Sequence, residues 1–179
     1  MHSKSETERK IDIDEILYCR EGHYSKGFKE AGYFVKNYEI IYVKSGSLKI
    51  TVNDDVYLLR EKCLFFAAPF NFLMVGCNNS GADIINCVFE GKISYDDFKK
   101  SRIFKVNPLT EKYIVNAVLL KSRKEEKAAQ LVRLNLEIFL TALSGSAFFP
   151  DIWKIKALSF KNYQRIFNYL YSNADKMLE

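Results

Sequence analysis

Histidine is scarce in this chain of 179 residues, where it occurs only as His2 and His23. Zinc centres and Ser-His-Asp triads both depend on imidazole groups. Apart from the histidine at the extreme N-terminus, any such site would have to be built around His23 alone. The composition therefore argues against most metallohydrolase and acyl-transfer chemistry, and we expect neither catalytic residues nor a metal site.

Long apolar stretches are also lacking. No uninterrupted run approaches the ~20 residues needed to span a bilayer, and the charged segment 1–14 has no apolar core like that of a secretory signal. The four cysteines, Cys19, Cys63, Cys77 and Cys87, form no CxxC pair. We therefore expect a cytoplasmic protein without a membrane partner, with the cysteines kept as thiols in the core.

What the sequence does contain is typical of a folded domain, with 48% hydrophobic and 27% charged residues, 14 Phe and 11 Tyr. The positive charge lies in the second half, where residues 92–179 carry 16 Lys and Arg against 9 Asp and Glu. These cations are interleaved with acids, as in the Lys-Glu-Glu-Lys run at 124–127. The pattern favours a solvated helix surface over a nucleic-acid interface.

The first half of the chain has the period of two that is typical of β-strands. Apolar residues alternate over 47–52, turn residues follow at 53–55, and an apolar strand resumes at 56–59, which together predict a hairpin. Residues 38–43 are apolar at both parities except for Glu39, so we expect this strand to be covered on both faces. Further short apolar runs lie at 63–68, 72–75 and 84–89, separated by Gly, Pro and Asn, and predict a small antiparallel β-barrel or jelly roll.

After Gly91 the apolar period rises to about 3.6, the value of an α-helix. Asn107-Pro108 is typical of an N-cap followed by proline at the first helical position. A second helix is predicted over about 125–143 and a third from Ser159. The fold class is therefore α+β, a small antiparallel β-barrel or jelly roll followed by a C-terminal helical subdomain. We divide the chain into a polar N-terminal arm (1–14), a β-barrel (15–91) and a helical dimerisation and linker region (92–179).

Residues 38–52 and 64–69 resemble the effector-binding cupin domain of AraC-family transcription regulators. The first cupin motif is G-x5-H-x-H-x(3,4)-E-x6-G, and the run from Glu39 to Gly46 matches its E-x6-G end. The two histidine positions fall on Tyr33 and Val35, or, with the longer spacer, on Gly32 and Phe34.

The second cupin motif, P-x-G-x-x-H, places Pro69, Asn71 and Met74 at its proline, glycine and histidine. All three cupin imidazoles are therefore absent, and a thioether is a poor ligand for the hard or borderline metals that cupin enzymes use. The resemblance thus implies a cupin-like jelly roll without a metal or any other cofactor.

The tail carries a second resemblance. Residues 165–173 are similar to the I-x-x-Y-I-x-x-N stretch that opens the DNA-binding domain of these regulators. Segment 146–179 has no room for both helices of a helix-turn-helix. The resemblance implies the ligand-sensing and dimerisation domain of a bacterial AraC-type regulator. We expect such a chain to contact DNA only through a domain that it lacks.

If the resemblance places Glu39 inside the barrel, strand alternation puts Ile41 beside it. One carboxylate among apolar and aromatic walls is suited to orient a small-molecule effector. Two alternatives stay open, since these side chains could fill a solid barrel, or Glu39 could face solvent or pair with a cation at the rim. The expected ligand-binding residues are Tyr33, Val35, Glu39, Ile41, Phe66, Phe72 and Met74.

The second predicted helix has apolar residues on two flanks, more than one sheet face can cover. We expect one flank to pack on the strands and the other to join two chains in a homodimer, because wide exposed apolar stripes are unusual in monomers. The alternative is that the connector 144–158 covers the outer flank. The predicted dimerisation residues are Leu131, Ile138 and Ala142.

A different class of function is a metal-free cupin enzyme that acts on a small sugar, such as an epimerase or isomerase. General acid–base catalysis would need two titratable groups in the cavity. Glu39 and Tyr33 are the pair that the sequence offers. We favour the regulator over the enzyme.

Overall fold

The computed structural model describes residues 11–29, 32–53, 55–94, 98, 102–123 and 126–144. Within them the strands precede the helices, which confirms the α+β class. The sheet is antiparallel and not closed, in the order β1-β6-β3-β5-β7, with β2 paired to β6 and β4 to β3. The elements are β1 (Ile11–Tyr24), β2 (Tyr33–Phe34), β3 (Tyr38–Val52), β4 (Asp55–Arg60), β5 (Cys63–Ala67), β6 (Phe72–Ile93), β7 (Arg102–Lys105), α1 (Pro108–Lys121) and α2 (Glu126–Leu143).

Strands β3 and β6 are longer than the sequence pattern predicts, because glycine bends them without ending them. Gly46 and Gly81 both have positive φ, at 78° and 69°, and the β3–β6 register shifts on either side of Gly46. A Cβ atom on Gly46 would collide with the carbonyl oxygen of Gly81. Only glycine allows the two strands to bend together at this point.

The two halves of the bent sheet share a core, which we call the interior core. Ile41 and Val43 from the first half of β3 meet Leu48 and Ile50 from the second half. Side chains from β2 and from β4 to β7 complete it. The buried members are Val35, Ile41, Val43, Leu48, Ile50, Val52, Leu59, Phe65, Ala67, Leu73, Val75, Cys77, Ala82, Ile84 and Ile103.

The opposite face of the sheet packs on the helices and forms the helix-facing core. Ile40 and Tyr42 of β3 lie here, so this strand is covered on both faces, as its sequence predicts. The inner flank of α2 contributes residues such as Val132 and Phe139, which are fully buried. Helix α2 also contacts α1 and β1. The helices therefore act as the second layer of the domain.

Helix α1 begins where the sequence predicts. The Asn107 side chain accepts hydrogen bonds from the backbone amides of Leu109 and Thr110, at 3.0 and 2.9 Å, and Pro108 takes the first turn. These two amides would otherwise lack a partner within the helix. The cap sets the direction in which α1 leaves β7 and crosses the sheet.

Three strands extend beyond the predicted barrel range of 15–91, and one of them, β6, does so only by running on to Ile93. Strand β1 begins at Ile11, inside the expected polar arm, and β7 lies in the range expected to be helical, where it pairs with β5. The sequence pattern does not predict β1 and β7 because each joins the sheet through a partner strand that is distant in the sequence. The third predicted helix and the regulator-like segment 165–173 lie outside the described residues. No helix in the described part of the chain is long and apolar enough to cross a membrane.

The cysteines differ from the expectation of four thiols. Cys19 and Cys87 form a disulfide, while Cys63 and Cys77 remain thiols. Cys19 in β1 lies directly opposite Cys87 in β6 in the strand register. A separation of 68 residues in the sequence hides this pairing, which only the register of the two strands creates.

Candidate functional site

Glu39 lies on the interior face of β3 and is buried, with 3% of its surface exposed. Its register partners are Ala67 of β5, an interior-core residue, and Val88 of β6. The carboxylate therefore points into the protein, as the resemblance implies, and not into solvent. A buried carboxylate must be hydrogen-bonded to offset the loss of its hydration.

Two neighbouring side chains supply these hydrogen bonds. The Tyr33 hydroxyl donates to Oε1 and Oε2 of Glu39, at 3.0 and 3.1 Å, and the Asn86 amide donates to Oε1 at 3.0 Å. An ionised carboxylate only accepts hydrogen bonds, so the Asn86 Nδ2 group must face it. Asn86 Oδ1 then points elsewhere and is buried without a hydrogen-bond partner among the described residues.

Tyr18 of β1 completes what we call the Glu39 cluster, namely Glu39, Tyr33, Asn86 and Tyr18. Burial and the negative charge of Glu39 raise the pKa of Tyr18 to about 12. The Arg20 guanidinium lies over the Tyr18 ring, 5.3 Å from its centroid, a cation–π distance. The cluster therefore presents two neutral phenols, an amide and a carboxylate, a set that can orient a small polar group.

The residues predicted to line the ligand site lie in three different places in the structure. Tyr33, Val35 and Ile41 belong to the interior core together with Glu39. Phe66 does not belong to the interior core. It alternates with Phe65 and Ala67 along β5 and therefore points to the opposite face of the sheet. It packs in the helix-facing core against Tyr38 and Phe98, with ring centroids 5.6 and 4.8 Å apart. The placement of Phe66 in the pocket is therefore wrong.

Phe72 and Met74 also face away from the interior core. Their neighbours Leu73 and Val75 point inward, because the register pairs these two with Val52 and Ile50 of β3. Phe72 instead meets Phe34 edge-on, with centroids 5.3 Å apart, and the backbone at residue 32 lies against Met74. The expectation that they line the same cavity as Glu39 is wrong.

The sequence pattern missed Tyr18 and Asn86. Asn86 is the one polar residue in the apolar run 84–89, the same signal that drew attention to Glu39 in its strand. Tyr18 gave no such signal, because the acidic and basic residues of segment 11–24 hide the strand period. Its position became visible only through the pairing of β1 with β6.

The resemblance to cupins raises the question of a metal, and the residues present do not fit one. Tyr33 hydrogen-bonds to Glu39, Val35 is apolar, and Met74 lies on the other face of its strand. In the described part of the chain no three His, Cys, Asp or Glu side chains come together in a group that could hold a metal ion. The Glu39 cluster is therefore a hydrogen-bonding site by its chemistry.

His23 does meet a serine and an aspartate, but in an order that does not make a triad. Ser45 Oγ donates to Asp83 Oδ2, and His23 Nδ1 lies near Asp83 Oδ1, both at 2.7 Å. The Ser45 hydrogen bond, followed by that of His23, lowers the pKa of Asp83. Since Asp83 stands between them, His23 cannot take the serine proton as a triad histidine does. The exposed group is a surface hydrogen-bond network.

A cavity of about 340 Å³ lies between β1 and the two helices, well away from the Glu39 cluster. Its charged rim residues are already engaged, because Lys121 donates to the Ile16 carbonyl and Arg133 pairs with Asp12 and Glu137. The cavity therefore reflects the junction of helix and strand. Its lining comprises Ile13, Asp14, Glu15, Ile16, Lys121, Ala129, Gln130, Val132 and Arg133.

The outer flank of α2 is apolar and exposed. Leu131 and Ile138, two of the predicted dimerisation residues, are 45% and 38% exposed, and Leu134 between them is 49% exposed. Ala142, the third, is also exposed. The spacing of three and four residues places them along one stripe of the helix. We call this stripe the outer flank.

No family model and no curated protein sequence matches the chain. Several solved structures are similar to the chain. One is the cupin domain of Schizosaccharomyces pombe Cnp3, with a TM-score of 0.39 and 12% identity over 42% of this chain and 62% of that one. Another is ToxT from Vibrio cholerae strain SCE256 bound to an unsaturated fatty acid, with a TM-score of 0.49 and 10% identity over 76% of this chain and 58% of that one.

A third is an RmlC-like cupin from Shewanella frigidimarina, with a TM-score of 0.36 and 17% identity over 55% of this chain and 96% of that one. The chain thus spans about three fifths of the length of the Cnp3 and ToxT structures. In the described part of the chain the fold is an antiparallel sheet that is not closed, followed by two helices. Its structural neighbours are cupin domains and ToxT, an AraC-family protein.

Proposed function

We propose that this chain is the ligand-sensing and dimerisation domain of an AraC-type bacterial transcription regulator, acting in the cytoplasm. The observation that carries the proposal is the buried carboxylate of Glu39, held by Tyr33 and Asn86 at one end of an otherwise apolar interior core. Burial of a carboxylate costs folding free energy that its hydrogen bonds only offset, so a carboxylate in such a place is a candidate for a binding role. It is suited to orient a small effector.

Three of the four members of the Glu39 cluster lie partly at the surface. Tyr18, Tyr33 and Asn86 are each partly exposed, whereas Glu39 is buried behind them. An effector that enters at this end would meet the two phenols first and the carboxylate last. Because the phenols are neutral at physiological pH, they can both donate to and accept from such a ligand.

Strand β3 offers a direct path from the site to the helices. Tyr42 lies three residues beyond Glu39 on the opposite face, and its hydroxyl donates to Glu111 of α1 at 2.6 Å. Any shift of β3 at the Glu39 cluster would therefore move a side chain bonded to α1. This contact is the physical basis on which ligand binding would reach the helical layer.

The outer flank of α2 supports the dimerisation part of the proposal. A stripe of exposed leucine and isoleucine is costly in water and is typical of an interface. Two-fold pairing is the commonest closed arrangement and would present two DNA-binding domains to two half-sites. The DNA contact itself would be made by a helix-turn-helix domain and not by the described residues.

Ligand binding is tested by thermal shift with sugars, small acids and lipophilic amphiphiles. A true effector at a hundredfold excess over its Kd stabilises the folded state by about 2.7 kcal/mol. Tyr33→Phe removes one donor to Glu39 and should abolish the response to any hit. The matched control is Tyr57→Phe, which removes another half-buried phenol bonded to a carboxylate, Asp55. A response that survives Tyr33→Phe would place the site elsewhere.

Dimerisation is tested by sedimentation at tens of micromolar. Leu131→Glu or Ile138→Glu would bury an unpaired charge in the interface and should convert a dimer to a folded monomer. Leu109→Glu is the control, because Leu109 is 73% exposed on α1 and lies off the outer flank. A monomeric wild type would contradict a homodimer formed by this chain alone.

The Tyr33–Glu39 contact also favours the second candidate, a metal-free isomerase or epimerase that acts on a small sugar. A phenol 3.0 Å from a carboxylate has the spacing of an acid–base pair. Epimerisation is followed by NMR through exchange of a sugar C–H proton for deuterium. Exchange that is lost in Glu39→Gln would establish the enzyme and overturn the sensor. Binding without exchange supports the sensor.

A further inference from the structure

Strand β1 is an edge strand of the sheet. In the described part of the chain it pairs with β6 alone. Its first half is also tied to the helices by side-chain contacts, which are Arg133 to Asp12 at 3.0 Å, Glu137 to the backbone amide of Ile13 at 3.2 Å, and Lys121 to the carbonyl of Ile16 at 3.0 Å. In the second half, which begins near Tyr18, the side-chain contacts run to the sheet instead, since Glu21 pairs with Lys44 and His23 with Asp83, both at 2.7 Å.

The Cys19–Cys87 disulfide lies where those helix contacts end. It joins β1 to β6 at a directly opposed pair of residues, and both cysteines belong to the helix-facing core, at 5% and 0% exposure. The bond therefore adds a covalent tie at the point where the edge strand has lost its side-chain ties to the helices.

The same two positions flank the Glu39 cluster. Tyr18 precedes Cys19 and Asn86 precedes Cys87, and alternation places these neighbours on the interior face, opposite the disulfide. The Cys19–Cys87 bond holds β1 against β6. It therefore also fixes how far Tyr18 of β1 lies from the contact between Glu39 and Asn86. A loosened β1 would move Tyr18 relative to Glu39.

We propose that Cys19 and Cys87 form a reversible redox latch on β1, opened by a low-molecular-weight thiol such as glutathione. A thiolate attacks one sulfur of the pair, Cys19 being the less buried, and forms a mixed disulfide while Cys87 leaves as a thiolate and takes up a proton. A second thiol then attacks the outer sulfur. The reductant leaves as its own disulfide, and both cysteines end as thiols.

Both redox states are compatible with the fold. Cysteine thiols behave as small apolar side chains, so the reduced pair still fits the helix-facing core. The β1–β6 hydrogen bonds and the helix contacts remain after reduction. Edge strands open locally at low free energy, which gives the reductant access to a buried bond without global unfolding.

The test uses wild-type protein, incubated without reductant or with millimolar glutathione, then denatured and alkylated for mass spectrometry. We expect two alkylated cysteines without reductant, Cys63 and Cys77, and four with glutathione. In parallel, hydrogen exchange should become faster by roughly tenfold or more in 18–24 on reduction. Exchange in the β4 hairpin strand, residues 55–60, should stay unchanged and serves as the internal control.

Cysteine variants show whether the change in hydrogen exchange depends on the Cys19–Cys87 bond. Cys19→Ala/Cys87→Ala should exchange at the reduced rate in both conditions, while Cys63→Ala should respond like the wild type. Four alkylated cysteines without reductant would overturn the latch because no bond forms. A bond that persists in millimolar glutathione would overturn it as well, since it would then be a fixed structural cross-link.

Discussion

The two faces of β3 bury a similar pair of groups in opposite ways. On the interior face the carboxylate of Glu39 is buried and the phenol of Tyr33 is half-buried, whereas on the helix face the phenol of Tyr42 is buried and the carboxylate of Glu111 is half-buried. Burial of a phenol costs much less than burial of a carboxylate. The comparison indicates that the Tyr42–Glu111 pair anchors the helix, and it supports the proposal that the Glu39 cluster binds a ligand.

The largest effect is expected from Phe66→Ala, which tests the assignment of faces. Phe66 is fully buried among aromatic rings of the helix-facing core, so truncation should destabilise the fold by about 3–5 kcal/mol. Ligand binding to the remaining folded protein should be unchanged. Denaturant unfolding measures the first quantity and titration calorimetry the second, and a selective loss of affinity would return Phe66 to the pocket.

Tyr42→Phe tests the anchoring role on the helix face. It removes the 2.6 Å hydrogen bond to Glu111 and should cost about 1–3 kcal/mol of unfolding free energy. Glu111→Gln alone and the double variant complete a double-mutant cycle. We expect a coupling energy that accounts for most of the single-variant loss. Additive effects would show that the pair does not act as a unit.

Alkaline pH should weaken the interior site through Tyr18. Its folded-state pKa of about 12 lies above the ordinary tyrosine value of 10.0, so the folded state holds this proton more tightly than the unfolded chain. The stabilisation is complete below pH 10 and is lost as the pH rises towards 12. Tyr18→Phe should flatten the decline in stability by about 1–2 kcal/mol, allowing for partial exposure. If the unfolding free energies of the wild type and Tyr18→Phe fell in parallel as the pH rises, Tyr18 would not be the group responsible.

The smallest effect on stability is expected from Tyr33→Phe. Glu39 keeps its hydrogen bond from Asn86, so the unfolding free energy should fall by about 1 kcal/mol or less. The contrast with Tyr42→Phe, measured in the same denaturant, separates a site residue from an anchor. A loss as large as that of Tyr42→Phe would make both faces structural.

Much of the architecture could be predicted from local patterns. The buried strand around residues 38–43, the Asn107 cap and the inner flank of α2 each follow from alternation or capping within a few residues. The sequence did not predict that β3 and β6 are continuous, because a glycine within a strand pattern usually indicates that the strand ends. Here each glycine bends its strand, and the paired strand bends at the same point. Gly46 and Gly81 bend together only because their strands pair.

The candidate site divides in the same way. Glu39 could be found because it interrupts an apolar strand, and Tyr33, Val35 and Ile41 followed from the motif and alternation. Phe66, Phe72 and Met74 were misplaced, because the parity of one strand relative to another depends on register, and a shift of one residue exchanges the faces.

The sequence by itself therefore determined the α+β order, the capped helix, the apolar flanks of α2 and the exceptional position of Glu39, because these depend on neighbours within one or two turns of chain. The tertiary structure alone decided which side chains surround that carboxylate. Asn86 comes from the pairing of β6 with β3, whereas Tyr18 and the Cys19–Cys87 bond come from the pairing of β1 with β6, in which the two cysteines are 68 residues apart. Pairing over that distance is set by the burial of the whole sheet, and no local pattern contains it.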